Sequence, residues 1–126
     1  MNLALYTLSR YLQPRSQNRL KFLHYPDDWD VLKALKKKIE ESTIPTEIMK
    51  QAIGLEWDEA AYEKTNEVNW VETTVDGEGK PLRYAYAKDL KAAFASLQKF
   101  EFSQNRAICA YIEHSDDEEI FLLYWF

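Results

Sequence analysis

Apolar residues recur at intervals of three and four in several parts of the chain, and this spacing predicts amphipathic helices. The clearest pattern follows Asp27 and Asp28, either of which could cap the helix because a short acidic side chain accepts from free amides of a first turn. The buried stripe of this helix would consist of Trp29, Leu32, Leu35 and Ile39.

Weaker patterns predict three further helices. Leucines at helical spacing favour a short helix over residues 3–12, and similar spacing favours one over residues 87–100. A helix is also expected over residues 43–54, because Pro45 suits a first helical turn and Gly54 suits the left-handed residue that closes a helix.

Other segments have the pattern of strands. A hairpin is predicted from residues 68–75 and 82–86, since an Asp-Gly pair lies at the reversal between them. A second hairpin is predicted from residues 106–114 and 120–126, and a short extended segment from residues 19–25. Because residues 120–126 are apolar on both alternating faces, we place this strand inside the sheet with a layer on each side.

The order of these elements indicates a fold class. Helices come first, followed by a hairpin, a helix and a hairpin, which predicts an α+β two-layer domain. We expect an antiparallel sheet of about four strands with helices packed mainly on one face. With 126 residues, 46% of them hydrophobic, and no repeat or linker, the chain is expected to form a single domain over residues 1–126.

The cysteine content and the N-terminal sequence bear on the compartment. The single cysteine, Cys109, cannot form an intramolecular disulfide and is expected to pack as a small residue in a strand. Neither a signal peptide nor an apolar run of about 20 residues is found. These features predict a cytoplasmic protein.

Charge is unevenly distributed along the chain, whose net charge is −5. Residues 1–38 hold eight Lys or Arg and three Asp, whereas residues 39–79 hold two Lys and eleven Asp or Glu. An acidic middle third could steer a basic partner towards the protein. The alternative is that these acids merely provide the solvated charge that a small protein needs.

No motif for catalysis or for a cofactor is found. His24 and His114 lie in no recognisable catalytic setting, and one cysteine with two distant histidines does not form a zinc site. The acidic turn at residues 116–119 lacks the ligand pattern of a calcium loop. We expect no cofactor, no metal and no enzyme, with a small enzyme or ligand-binding domain using His24 or His114 as the alternative.

Residues 55–72 combine large aromatic rings with carboxylates, and the first part of this segment, residues 55–64, could form a short helix or an acidic loop. Trp and Tyr are enriched at the centres of protein interfaces, and a rim of carboxylates would suit a basic target. The alternative is that the tryptophans belong to the core and the acids coat a helix. The predicted partner-binding residues are Glu56, Trp57, Asp58, Glu59, Tyr62, Glu63 and Trp70, with Asp116, Asp117, Glu118 and Glu119 at the acidic turn.

These features favour a small protein-binding module of the inhibitor, immunity or anti-defence type. Its partner would be a basic protein that processes nucleic acid, such as a nuclease or toxin. A third hypothesis is direct nucleic-acid binding by the first 38 residues, where basic and aromatic residues interleave. Those residues are Tyr6, Arg10, Tyr11, Arg15, Arg19, Lys21 and Phe22.

Overall fold

The computed structural model of the protein describes residues 1–7, 20–47, 50–53 and 69–126, with residues 50–53 and 69–72 described by the course of their backbone. Its strands are β1 (Leu3–Thr7), β2 (Leu20–Phe22), β3 (Ile44–Pro45), β4 (Lys50–Ile53), β5 (Asn69–Glu72), β6 (Arg83–Tyr86) and β7 (Ile120–Trp125). Its helices are α1 (Trp29–Glu40), α2 (Ala87–Ala95) and α3 (Ser103–Glu113), with a 3₁₀ turn at Pro26–Asp28 before α1.

An antiparallel sheet of five strands forms the centre of the fold, in the order β2-β1-β7-β6-β3. A separate ribbon pairs β4 with β5. The α+β class is therefore confirmed, although the main sheet has five strands where about four were expected. The prediction for residues 120–126 is confirmed in position, because β7 lies in the middle of the sheet between β1 and β6.

The core lies between one face of this sheet and the three helices, as the sequence predicted. From α1 it takes Leu32, Leu35 and Ile39, and from α2 it takes Leu90, all fully buried. Trp29 was expected in the same stripe, but it is 41% exposed and does not belong to the buried core. In the described part of the chain, no helix has the length and apolar character needed to cross a membrane.

The prediction of a helix over residues 3–12 is wrong for its described part, which is strand β1. Leu5 lies opposite Leu123 on one side and Leu20 on the other, so β1 is an interior strand of the sheet. Closely spaced leucines are compatible with both a helix and a doubly buried strand, and pairing with β2 and β7 decides between them.

Two further predictions of element type are wrong. Part of the helix expected over residues 43–54 consists of β3 and β4, where Pro45 lies on the edge strand of the sheet, a position that proline tolerates. Residues 106–114 belong almost wholly to α3, because Ile108 and Ile112, four residues apart, pack their shared face into the core. The second predicted hairpin is therefore a helix followed by β7.

The first predicted hairpin turns where expected, but its strands have other partners. Beyond an isolated bridge between Val75 and Pro81, β5 pairs with β4, and β6 pairs with β3 and β7. In the turn, a carboxylate oxygen of Asp76 accepts from the amides of Glu78 (2.8 Å) and Lys80 (3.0 Å). The side chain of Asp76 thus takes the place of backbone acceptors.

Glycine is needed twice in this turn, for two different reasons. Gly79 adopts a φ of +80°, which L side chains rarely adopt. Gly77 instead packs against the end of β7: its amide donates to the carbonyl oxygen of Trp125 (2.8 Å), and a Cβ there would lie 2.6 Å from the Cβ of Phe126. The turn is thereby fixed to the centre of the sheet.

Candidate protein-binding surface

Most of the predicted partner-binding segment lies outside the described residues. This applies to Glu56, Trp57, Asp58, Glu59, Tyr62 and Glu63. Trp70 belongs to β5, where its backbone pairs with that of Ala52 in β4. The role of residues 55–72 therefore stays a prediction.

The acidic turn of residues 116–119 connects α3 to β7, and helix α2 neutralises part of its charge. The ammonium group of Lys91 lies 2.8 Å from a carboxylate oxygen of Asp117, and that of Lys88 lies 3.6 Å from Glu118. The hydrogen bond from Lys91 lowers the pKa of Asp117. Asp116 and Glu119 have no ion pair in the described part of the chain, so this acidic tip keeps two uncompensated carboxylates.

A cluster of aromatic side chains, which we call the aromatic surface, lies where β2 leads into α1. The rings of Tyr25 and Phe102 stack with centroids 5.0 Å apart and planes 15° apart. The rings of His24 and Trp29 meet edge to face at 5.3 Å. Tyr25 is 43% exposed and Trp29 is 41% exposed. Large rings are thus held against one another at the surface without being covered.

The aromatic surface rests on a buried carboxylate. Asp28 is fully buried and accepts from the backbone amides of Glu101 (2.6 Å) and Phe102 (2.9 Å), next to the N-terminus of α3. It also accepts from the side-chain amide of Asn105 (3.0 Å). The expected role of Asp28 as a cap of α1 is therefore wrong: its side chain makes no bond to α1 and instead stabilises the beginning of α3.

Asn105 extends this network to the edge of the sheet. Its side-chain oxygen accepts from the amide of Leu23 (3.0 Å), and its side-chain nitrogen donates to the carbonyl of Leu23 (2.8 Å). The amide group thus pairs with the backbone just after β2 much as a neighbouring strand would. Asn105 and Asp28 together tie the segment that carries Tyr25 to the segment that carries Phe102.

Carboxylates neighbour the aromatic surface in the sequence. Asp27, Asp30 and Glu101 are exposed, and none of them takes part in an ion pair with another described residue. Arg106, one turn into α3, directs its guanidinium to backbone carbonyls of the preceding loop. Lys33 lies one helical turn beyond Trp29 and is exposed. Lys99, three residues before Phe102, is also exposed, so the three carboxylates are matched in number by Lys33, Lys99 and Arg106, of which Arg106 is bonded to backbone carbonyls.

Sequence reasoning missed this surface because it placed Trp29 in the core. A usable signal was present, because Trp29 is the first residue of its helix. It follows a Tyr-Pro pair and two consecutive acids, although capping a helix requires only one acid. The contact between the rings of Tyr25 and Phe102 joins residues far apart in the sequence, so no local pattern indicated it. A combination of exposed rings and carboxylates is thus found at the aromatic surface, whereas the one expected at residues 55–72 stays a prediction.

A groove of about 230 Å³ lies between α2 and α3 and includes Phe94, Phe100 and Cys109 in its lining. Cys109 was expected in a strand but is a half-buried residue of α3. Burial, followed by the charge of Glu113, raises the pKa of Cys109 to about 12, which makes its thiol a poor nucleophile. Among the described lining residues, Cys109 therefore offers no activated thiol for covalent chemistry.

The two histidines lie apart from this groove. His24 contacts the ring of Trp29, and His114 follows the last turn of α3, where it is exposed. Neither lines the groove. Among the described residues, no group of three or more His, Cys, Asp or Glu is placed to hold a metal ion.

Comparison of the chain with protein families, with curated proteins and with solved structures found no match. Its function is therefore inferred from its own residues.

Proposed function

We propose that this chain is a protein-binding module of the inhibitor or immunity type, which neutralises a basic, nucleic-acid-processing partner by covering part of its surface. The observation that carries the proposal is the exposure of Tyr25 and Trp29 above the buried network of Asp28 and Asn105. Exposed tyrosine and tryptophan are the side chains most often found at the energetic centre of an interface.

The buried network supports this proposal because it lowers the entropic cost of binding. A side chain that is already ordered loses little conformational freedom when a partner covers it, so more of the contact energy remains as affinity. Tyr25 is stacked on Phe102, and Trp29 is in contact with His24. The aromatic surface therefore provides contact area at a low entropic cost.

Charge supports the choice of a basic partner. Asp27, Asp30 and Glu101 next to the rings, together with Asp116 and Glu119 of the acidic tip, have no ion pair among the described residues. A partner with lysines or arginines would supply the missing charges and would be drawn in faster at low salt. The predicted segment of residues 55–72 would extend the same contact.

The test is co-expression with the product of the adjacent gene, followed by measurement of binding and of that product's nuclease activity. Trp29→Ala is expected to weaken binding at least about 30-fold, corresponding to about 2 kcal/mol at an interface centre. Tyr111→Ala on α3 is the matched control, because Tyr111 is equally exposed (41%) and lies outside the aromatic surface. Equal effects of the two substitutions would contradict this location.

Charge is tested by the paired substitutions Asp27→Lys and Asp30→Lys. These are expected to slow association about tenfold at low salt, with the effect shrinking as salt screens the charges. Charge reversal at Glu56, Asp58, Glu59 and Glu63 tests the predicted segment in the same assay. Association rates that are unchanged at low salt in both sets of variants would remove the basic partner from the proposal.

A further inference from the structure

The face of the five-stranded sheet that points away from the helices carries four tyrosines, which we call the tyrosine face. Side chains alternate along a strand, so residues next to core positions point to the opposite side. The tyrosines lie on three adjacent strands, and each is half-buried. They are Tyr6 on β1, Tyr84 and Tyr86 on β6, and Tyr124 on β7.

The register shows how these rings are arranged. Tyr6 and Tyr84 lie on either side of Leu122, in one row across the sheet, and Tyr124 lies two residues further along β7. Tyr84 and Tyr86 touch edge to face with centroids 6.1 Å apart. Tyr6, Tyr84 and Tyr124 therefore lie around Leu122, which is itself buried.

The charge on this face differs from that of the whole protein. The chain has 21 acidic residues and a net charge of −5. Among the described strand positions that point to this side, none is acidic, and the remaining ones are Ala4, Lys21, Ile44, Ile120 and Leu122.

Two lysines lie at the rim of the tyrosine face. The ammonium group of Lys21 is 4.9 Å from the ring centre of Phe126, and Lys21 has no ion pair among the described residues. The ammonium group of Lys88 is 5.4 Å from the ring centre of Tyr86 and 3.6 Å from a carboxylate oxygen of Glu118. The face thus combines flat aromatic rings with positive charge.

We propose that the tyrosine face binds single-stranded nucleic acid, with bases stacking on the rings of Tyr84, Tyr86 and Tyr124 and phosphates lying near Lys21 and Lys88. Stacking on aromatic rings is the usual way in which sheets hold unpaired bases, and lysines next to the rings suit the backbone phosphates. A basic protein segment would find no carboxylate at the described strand positions of this face, and only Glu118 beside Lys88 at its rim. The proposal goes beyond protein binding by the aromatic surface and does not depend on it.

The structure bears on part of the hypothesis of nucleic-acid binding by the N-terminal third, in which Arg10, Tyr11, Arg15 and Arg19 lie outside the described residues. Tyr6 and Lys21 belong to the tyrosine face, whereas Phe22 points to the other side of the sheet and is fully buried. Phe22 packs against Phe94 and Phe100, with centroids 5.9 and 5.3 Å away. It is therefore unable to stack on a base.

The experiment measures fluorescence anisotropy of labelled oligo-dT and oligo-U of about 12 nucleotides, with a duplex as comparison, in 50 and 200 mM salt. The protein is expected to bind single strands more tightly than the duplex. Tyr84→Leu and Tyr124→Leu should each weaken binding between about 5-fold and 100-fold. Tyr111→Leu, which removes an exposed tyrosine from α3, should change binding less than twofold.

Two further variants separate this proposal from its competitors. Lys21→Gln should lower the slope of log affinity against log salt by about 0.7, the value for one phosphate contact on a single strand. Trp29→Ala should leave oligonucleotide binding unchanged, so that failure of either proposal can be recognised independently. Circular dichroism of each variant confirms that the fold is retained.

Lack of binding at protein concentrations up to about 100 μM in 50 mM salt would overturn the proposal. The same conclusion would follow if the duplex bound as tightly as the single strands, or if folded Tyr84→Leu and Tyr124→Leu proteins bound as tightly as Tyr111→Leu.

Discussion

Replacement of Asp28 by asparagine is expected to destabilise the protein by about 3 kcal/mol. The carboxylate is fully buried and accepts from two backbone amides and from Asn105. Asparagine keeps one of the two acceptor oxygens. Its NH₂ group replaces the other oxygen and faces N–H donors that then have no acceptor. Each buried donor that loses its acceptor costs about 1–3 kcal/mol. The loss is large against a total stability of about 5–15 kcal/mol.

Urea unfolding followed by circular dichroism measures this effect. With an m-value of about 2 kcal/mol/M, the midpoint for Asp28→Asn should fall by about 1.5 M. Asp27→Asn is the matched control, because this neighbouring acid is exposed and its substitution should change stability by no more than about 0.5 kcal/mol. Equal midpoints for the two variants would refute the structural role of the buried carboxylate.

A double-mutant cycle with Asn105→Ala gives a second check on the same network. Asp28 and Asn105 share a hydrogen bond of 3.0 Å, so the effect of the double variant should be smaller than the sum of the single effects. Simple additivity would mean that the two residues act separately, contrary to the contacts described above.

The remaining predictions concern the turn, the thiol and the acidic tip. Gly77→Ala should destabilise the protein by about 1–3 kcal/mol in thermal unfolding, because the new Cβ would lie 2.6 Å from the Cβ of Phe126; wild-type stability would contradict the docking of the turn. With its pKa raised from 9.0 to about 12, Cys109 should react with a thiol reagent at least about 30-fold more slowly in the folded than in the unfolded chain at pH 8, because the loss of thiolate exceeds the gain in its nucleophilicity; equal rates would contradict the burial of this thiol. Its contribution to stability should be lost only as pH rises from 9.0 towards 12. Lys91→Met should raise the pKa of Asp117 back towards 3.8 in a carboxyl titration by NMR, because the hydrogen bond and the charge of Lys91 hold it below that value; an unchanged pKa would exclude Lys91 as the cause. The lowered pKa of Asp117 stabilises the fold above pH 3.8, and this effect is lost as pH falls through the lowered value.

The spacing of apolar residues was sufficient to predict an element where a helix packs a single apolar stripe against the sheet. The helix beginning at Trp29 was predicted for this reason, as was the helix expected over residues 87–100, which forms over Ala87–Ala95, and the apolar run of β7 indicated an interior strand. Periodicity failed for β1 and for α3. In both, a short apolar run fits either element type, and partners distant in the sequence decide which one forms.

The site was harder to predict because its parts meet only in the folded chain. Tyr25 and Phe102 belong to different segments, and the network that holds them depends on Asp28 turning away from its own helix. The tyrosine face has the same origin, since Tyr6, Tyr84 and Tyr124 become neighbours only through the order of the strands. A single sequence carries no local signal for such contacts.

The pairing of β1 with β7 also constrains how the molecule folds. Leu3 lies opposite Trp125, and Leu5 opposite Leu123, so the centre of the sheet joins segments from opposite ends of the sequence. Closing so long a loop is entropically expensive, and folds dominated by such contacts form in milliseconds to seconds rather than microseconds. Until that closure occurs, the apolar stripe of α1 has no sheet to cover it. Refolding at high protein concentration should therefore compete with aggregation at this step.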